Sequence, residues 1–226
     1  MDAEIFAPYF SVCQTNCESG AGELFASQAM KAGHTVHVMM FDGSKIRAPP
    51  GSIFTLFEPA VLKGVWESFM KHVSSQLGRQ TLNLDRQKSS ICRDYFQADD
   101  AAMIFTVCDF EHEDLVDIGA PTVNVLGATA YTCQVFINKA VRRTGPHSRV
   151  FDSQLYLFSQ RRDCWFQAQV AVKEMGIWIN WKALQQDPEF QLPHSNEGFT
   201  YAGTGSRILA ETGRAAILRL YSASEG

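Results

Sequence analysis

The sequence predicts an α/β fold with a parallel sheet and helices on both faces. Five short runs are almost continuously apolar, as strands buried on both faces of a parallel sheet are. Segments with helical spacing of apolar residues lie between these runs. Alternation of strand and helix favours a sheet joined by right-handed crossovers. The 226 residues, 46% of them apolar, are enough for one domain, residues 1–226, with a substantial core.

The five predicted strands have similar lengths and follow one another through most of the chain. They are "YFSVC" (9–13), "HTVHVMMF" (34–41), "AAMIFTV" (101–107), "PTVNVL" (121–126) and "QLYLFS" (154–159). The alternation of predicted strands and helices stops near residues 166–199, where two tryptophans are followed by a stretch rich in Pro and Gly. We expect a strand and loop elaboration there.

Three segments carry helical signals. Residues 22–32 place apolar side chains along one side, and residues 59–77 do the same with Pro59 in the first turn and Gly78 after the end. "TAYTCQVFINKAVRRTG" has basic residues in its last turn and Gly145 as a stop signal.

Charge and composition argue against several classes of function. The net charge is −4, so there is no basic field to attract nucleic acid. No apolar run approaches the ~18 residues of a membrane span, and the acidic start "MDAEIFAPYF" does not resemble a secretory signal. The six cysteines and six histidines show no metal-site spacing, so we expect buried free thiols, no metal and no cofactor other than a nucleotide ligand. These features predict a soluble, cytoplasmic protein.

Two glycine-containing turns lie between a predicted strand and a predicted helix. They are "GAG" at 20–22 and "LGATAY" at 126–131. In a parallel sheet such turns emerge at the carboxyl ends of the strands, where helix N-termini favour a bound phosphate. The alternative is that these glycines only permit tight turns.

A third glycine-rich stretch, "AGTGSR" at 202–207, is another candidate phosphate loop. Gly203 and Gly205 would allow the backbone to approach a phosphate, Ser206 could cap a following helix, and Arg207 could form a bidentate pair. The alternative is a capped helix start with a surface arginine.

Two further side chains are ambiguous from the sequence alone. Arg93, which we place at the start of a helix, could meet a phosphate or pair with Asp85, Asp94 or Asp99. Tyr131 could stack on a base or be a partly buried structural tyrosine.

Several segments together resemble the SLOG superfamily, which includes the lonely-guy cytokinin-activating enzymes and the DNA-processing protein of natural transformation. The first loop keeps the G-A pair of a little-characterised bacterial and phage branch, and Phe25, Ala29 and Gly33 follow at matching offsets. Asn16 and Cys17 replace its paired glycines. "CRDYFQADDAAMIFTV", "LGATAYTCQVFI", "LYLFSQ" and "YAGTGSRILAETGRAAILRLY" match further segments in the same order.

The resemblance implies a Rossmann-like fold, a homodimer and a small-molecule nucleotide as partner. It implies a sensor or carrier that binds a nucleotide or a nucleotide derivative. The predicted ligand-binding residues are Ser19, Gly20, Gly22, Arg93, Gly127, Thr129, Tyr131, Gln134, Gly203, Gly205, Ser206 and Arg207.

The alternative is an enzyme, a phosphoribohydrolase or transferase, that acts on the N-glycosidic bond of a nucleotide. The resemblance places Gln134 where the lonely-guy enzymes have a glutamate. An amide cannot accept the proton, so such an enzyme would need another carboxylate, with Glu23 and Asp109 as candidates. Whether any reaction is catalysed stays open at this point.

Overall fold

The computed structural model describes residues 11–17, 20–42, 45–79, 85–144, 149–174, 176–184 and 199–222. These residues form one eight-stranded sheet and the helices that cover it. The strands are β1 (Val12–Thr15), β2 (Thr35–Phe41), β3 (Ile53–Phe57), β4 (Met103–Cys108), β5 (Arg149–Ser159), β6 (Cys164–Lys173), β7 (Gly176–Ala183) and β8 (Thr200–Gly205). The helices are α1 (Ala21–Lys31), α2 (Pro59–Val65), α3 (Lys71–Gln76), α4 (Asp85–Asp99), α5 (Leu115–Ile118), α6 (Thr129–Thr144) and α7 (Glu211–Tyr221).

The sheet has the order β3-β2-β1-β8-β4-β5-β6-β7. The six strands from β3 to β5 are parallel, and β6 and β7 are antiparallel to their neighbours. The predicted Rossmann-like α/β architecture is therefore confirmed. The expected elaboration consists of β6 and β7, which extend one edge of the sheet, while 185–198 lie outside the described residues.

Helices cover both faces of the sheet, each over its own apolar core. Helices α1 and α7 pack on one face around Phe25, Val36 and Ile217. On the other face α2, α4 and α6 pack around Met70, Ile104 and other apolar side chains. A π-helical turn (Trp66–Met70) joins α2 to α3, so the helix predicted over 59–77 is continuous from Pro59 to Gln76 but not α-helical throughout. Within the described ranges, no helix is long and apolar enough to cross a membrane.

Strand β8 occupies the centre of the sheet, between β1 and β4. The sequence reading of 202–207 as a loop that opens a helix was wrong: the first four of these residues belong to β8, and five residues separate the end of this strand from the start of the next helix, α7. Small residues are required in this strand, because a Cβ atom on Gly203 would lie 2.4 Å from the Phe25 ring of α1. Gly203 therefore brings α1 close to the sheet.

Two other local predictions were also wrong. Residues 121–126 do not form a strand, because Asn124 has a φ of 48° and only Val125 makes a bridge, to Phe110. Strand β3 was not predicted. It is a short edge strand whose apolar side chains are largely exposed, so it lacks the pattern of a buried strand.

A buried hydrogen-bonded chain lies beneath α1 and α7. The hydroxyl of Tyr201 is 2.9 Å from His34 Nδ1 and 2.8 Å from the hydroxyl of Tyr221. Burial lowers the pKa of His34, and burial raises the pKa of the neighbouring Cys13 thiol to about 12. All six cysteines are free thiols, and five of them are buried.

Candidate functional site

A cavity of about 410 Å³ opens at the carboxyl ends of β1, β8 and β4. Strands β2 and β3 lie on one side of β1 and β5 lies beyond β4, so this point is the topological switch of the sheet, where ligands bind in α/β folds. The cavity is lined by Asn16, Ser90, Arg93, Asp94, Cys108, Asp109, Leu126, Gly127, Ala128, Thr129, Gln160, Thr204, Gly205, Ser206 and Arg207.

The N-terminus of α6 forms one wall of the cavity. Gly127 turns the chain with a φ of 68°, and Thr129 begins the 16-residue helix. Within the described part of the chain, no acceptor is bonded to the backbone N–H groups of Gly127, Ala128 and Thr129. These groups carry the partial positive charge of the helix N-terminus, so this wall can accept an anion.

Arg79 holds the loop before α6 from outside the cavity. Its guanidinium donates hydrogen bonds to the carbonyl oxygens of Gly127 and Val125, the second at 3.1 Å. It also pairs with Glu111 at 3.1 Å and lies 5.4 Å from the centre of the Tyr131 ring. These two hydrogen bonds fix the loop on the side that faces away from the cavity.

The end of β8 forms the opposite wall. Gly205 has a φ of 145°, and a Cβ atom there would lie 2.2 Å from the carbonyl oxygen of Val107. Ser206 does not cap a helix, as the sequence suggested. Its hydroxyl donates a 2.7 Å hydrogen bond to the carbonyl oxygen of Ile208 and so closes a turn. This turn precedes α7 in the chain. The turn presents the exposed Arg207 to the cavity.

Helix α4 contributes a buried ion pair. Arg93 is only 1% exposed and lies within the helix, not at its start as predicted. Its guanidinium is 3.3 Å from Asp94 Oδ1 and 3.3 Å from Ser90 Oγ, above the ring of Phe41. Of the alternatives weighed from sequence, pairing with Asp94 is observed, and the pair also lines the cavity.

One of the two candidate carboxylates lines the cavity. Asp109 follows β4, and its Oδ1 accepts hydrogen bonds from Ser159 Oγ at 3.1 Å and from the backbone N–H of Arg161 at 2.9 Å. Glu23 instead lies on α1, outside the lining, 3.9 Å from the guanidinium of Arg47. Of these two candidates, only Asp109 is therefore placed for chemistry in the cavity.

The first glycine loop packs against the cavity wall and does not line it. Gly20 has a φ of 63°, and a Cβ atom there would lie 2.3 Å from the carbonyl oxygen of Ser206. Gly22 allows α1 to approach Asn16, whose side-chain oxygen would be 2.6 Å from an added Cβ. Asn16 is the residue of this region that lines the cavity, and Ser19 lies outside the described residues.

Three further predicted residues face away from the cavity. Gly203 lies within β8 against α1, and Tyr131 is 2% exposed, with its hydroxyl 3.3 Å from Ser74 Oγ. Gln134 is fully buried: it accepts the backbone N–H of Val123 at 3.1 Å and donates to Asn138 at 3.0 Å. Each α-helical residue advances by about 100°, so Tyr131 and Gln134 are turned away from the side of α6 on which Thr129 lies.

Sequence reasoning missed several lining residues. Gln160 follows β5 directly, and it accepts the backbone N–H of Ala210 at 2.7 Å. The rule that ligands bind at the carboxyl ends of parallel strands could have identified Gln160. Ser90 could have been found only as the residue one helical turn before Arg93. Asp94 was named from the sequence as a partner of Arg93 but not as a lining residue.

Within the ranges described, no group of three His, Cys, Asp or Glu side chains could hold a metal ion. No protein-family model, curated protein or solved structure matches the chain.

Proposed function

We propose that this protein binds a nucleotide or nucleotide derivative by its phosphate in the cavity at the carboxyl ends of β1, β8 and β4. The observation that carries the proposal is the open N-terminus of α6. Three backbone N–H groups there have no acceptor among the described residues, and two arginines line the same cavity.

The phosphate would lie between the start of α6 and Arg207. A phosphate monoester carries about two negative charges at pH 7, and a helix N-terminus supplies about half a positive charge. Arg207 adds a full charge and a planar fork that suits phosphate oxygens. Arg207 is exposed at the cavity, whereas Arg93 is only 1% exposed, so we assign Arg207 as the principal cation for the ligand.

The remaining lining suits the polar part of a nucleotide. The volume of about 410 Å³ falls within the range of roughly 300–1,000 Å³ of small-molecule sites. Among the described residues that line the cavity, none is aromatic. Asn16, Gln160 and Thr129 instead offer hydrogen bonds, and Leu126 offers an apolar contact.

The two carboxylates in the cavity favour a second candidate, cleavage of the N-glycosidic bond of a nucleotide. Asp94 and Asp109 both line the cavity, and glycosidic hydrolysis uses carboxylates to activate water or to stabilise an oxocarbenium-like centre. Asp109 is the stronger candidate, since Asp94 is 3.3 Å from the buried Arg93, whereas Asp109 is 3.8 Å from the exposed Arg161. Gln134, which replaces the expected glutamate, lies outside the cavity.

Native mass spectrometry followed by calorimetry tests the binding proposal. We expect a co-purifying nucleotide, and nucleoside monophosphates that bind at least about tenfold more tightly than their nucleosides, because the phosphate makes the charged contacts. Equal affinity for nucleosides would refute phosphate recognition. Repeated turnover to ribose 5-phosphate, lost in Asp109→Asn, would instead establish the enzyme.

The homodimer implied by the sequence resemblance stays part of the proposal. Its test is the molar mass of the purified protein by light scattering over a range of concentrations. A mass of one chain, 25.2 kDa, at every concentration would exclude the dimer.

A further inference from the structure

A second cleft, of about 210 Å³, lies between the π-helical turn, α4 and α6. We call it the helical cleft. Its lining includes three cations from the end of α6, an aromatic pair, and the side chains of the π-helical turn and of α3 beside it. These residues include Phe69, Tyr95, Asp99, Lys139, Arg142 and Arg143.

Positive charge dominates the cleft. Lys139, Arg142 and Arg143 face one lining carboxylate, Asp99, and among the described residues none of the three cations forms an ion pair. Burial lowers the pKa of Lys139 and the neighbouring Arg143 lowers it further, which together outweigh the opposite effect of Asp99 and Asp100. Cations that repel one another in a concave site bind an anion favourably, because the anion relieves the repulsion.

An aromatic surface lies beside the cations. The rings of Phe69 and Tyr95 are stacked, with centroids 5.0 Å apart and planes inclined by 22°. Both side chains are partly exposed, so a further flat group can pack against the pair. An anion with an aromatic part would contact the cations and the rings together.

The π-helical turn points to the same place. Ser68 and Phe69 of this turn line the cleft, and π-helical turns within α-helices are rare and often occur at functional sites. The wider turn places Phe69 on the side of Tyr95. Cations in the last turn of α6 interact favourably with the C-terminus of the helix, and this alone explains their presence. It does not explain why an aromatic pair lies beside them.

We propose that the helical cleft is a second ligand site, for a small aromatic molecule that carries a phosphate or carboxylate group. The site is separate from the cavity at the carboxyl ends of the strands, since the two share no lining residue. It does not depend on the proposed nucleotide binding. The cations hold the anionic group, and the Phe69–Tyr95 pair packs against the ring.

Titration of the ¹⁵N-labelled protein with phenyl phosphate, followed by NMR, tests this site. We expect saturable amide shifts at Phe69, Tyr95 and Lys139, and at least about tenfold weaker binding of phenol, which lacks the charge, and of inorganic phosphate, which lacks the ring. Shifts confined to 126–129 would place the probe in the other cavity and overturn the proposal. Absence of shifts in the cleft would also overturn it.

A pair of triple variants separates specific contacts from net charge. Lys139→Gln/Arg142→Gln/Arg143→Gln should weaken phenyl phosphate binding at least about tenfold. Lys31→Gln/Lys63→Gln/Lys182→Gln removes the same charge from exposed positions outside the cleft and should leave the affinity unchanged. Equal effects of the two variants would contradict the proposal. If the first triple variant does not fold, the single variant Arg143→Gln replaces it, with Lys63→Gln as its control. Arg143→Gln should then bind phenyl phosphate more weakly than Lys63→Gln, and equal affinities would contradict the proposal.

Discussion

The backbone N–H of Ala21 donates a 3.0 Å hydrogen bond to the carbonyl oxygen of Ser206. This bond joins the start of α1 to the end of β8 and occupies a donor that a phosphate would otherwise use. Gly20, directly before it, packs on the same carbonyl. The first glycine loop is therefore structural, and the start of α6 is the better site for an anion.

Gly20→Ala should destabilise the protein because an added methyl group meets fixed backbone atoms. Gly33→Ala is the matched control, since Gly33 also has a positive φ, 79°, but nothing lies within 4 Å of an added Cβ. We expect the control to lower the free energy of unfolding by about 1 kcal/mol and Gly20→Ala by at least ~2 kcal/mol more. Urea denaturation measures both, and equal losses would argue against close packing at Gly20.

Sequence patterns predicted the elements that are strongly apolar and regularly spaced. Strands β2 and β4 and helices α1 and α6 appear close to their predicted limits, whereas β5 ends as predicted but begins five residues earlier, at Arg149. Strand β8 could not be predicted, because its glycines, which are typical of a loop, are required here by the close packing of α1 on Gly203.

The candidate site was predictable where the chain leaves a strand and less so within helices. The segment 204–207 lines the cavity, as residues at the carboxyl end of a parallel strand should. The segment 126–129 also lines it, as the turn before α6, although no strand precedes it. The direction of Gln134 depends on helix rotation and on its bond to Val123, which only the structure shows.

Arg79→Ala should loosen the loop that presents the start of α6. The side chain is 22% exposed and bonds two carbonyl groups, so its loss should lower the free energy of unfolding by about 2 kcal/mol and weaken nucleotide binding. Glu111→Gln removes only the exposed ion pair and should cost less than about 0.5 kcal/mol. Chemical denaturation and calorimetry check both quantities. Wild-type behaviour of Arg79→Ala would show that the loop is held by other contacts.

Gln134→Glu should damage stability without creating an enzyme. The substitution places a second oxygen against Asn138 Oδ1 at a fully buried position, and burial disfavours the charged carboxylate. We expect a loss of about 2–3 kcal/mol in the free energy of unfolding and no release of ribose 5-phosphate. Gln154→Glu, the same change at an exposed position, should stay within about 0.5 kcal/mol of wild type. Release of ribose 5-phosphate by Gln134→Glu, but not by wild type or Gln154→Glu, would show that residue 134 belongs to the active site.

His34 should make the protein less stable in mild acid. Burial lowers its pKa in the folded state below the ordinary value of 6.5, so the unfolded chain takes up the proton first. This residue's contribution to stability is therefore complete above pH 6.5 and is lost as the pH falls through the lowered folded-state pKa.

The stability of His34→Gln at pH 7.5 and pH 5 measures this effect. The variant should lose less unfolding free energy between the two pH values than wild type, whereas His72→Gln, at an exposed histidine, should match wild type. If all three proteins lose the same unfolding free energy between pH 7.5 and pH 5, His34 does not cause the loss of stability in acid.

The affinity of Arg207→Ala for nucleotide tests the central claim most directly. Calorimetry should use the nucleoside monophosphate that wild type binds most tightly, with Arg214→Ala as a control at an exposed arginine of α7 outside the cavity. The account predicts that Arg207→Ala binds about ten- to a hundredfold more weakly and that Arg214→Ala binds normally. Undiminished affinity in Arg207→Ala, or an equal loss in Arg214→Ala, would contradict phosphate binding in this cavity.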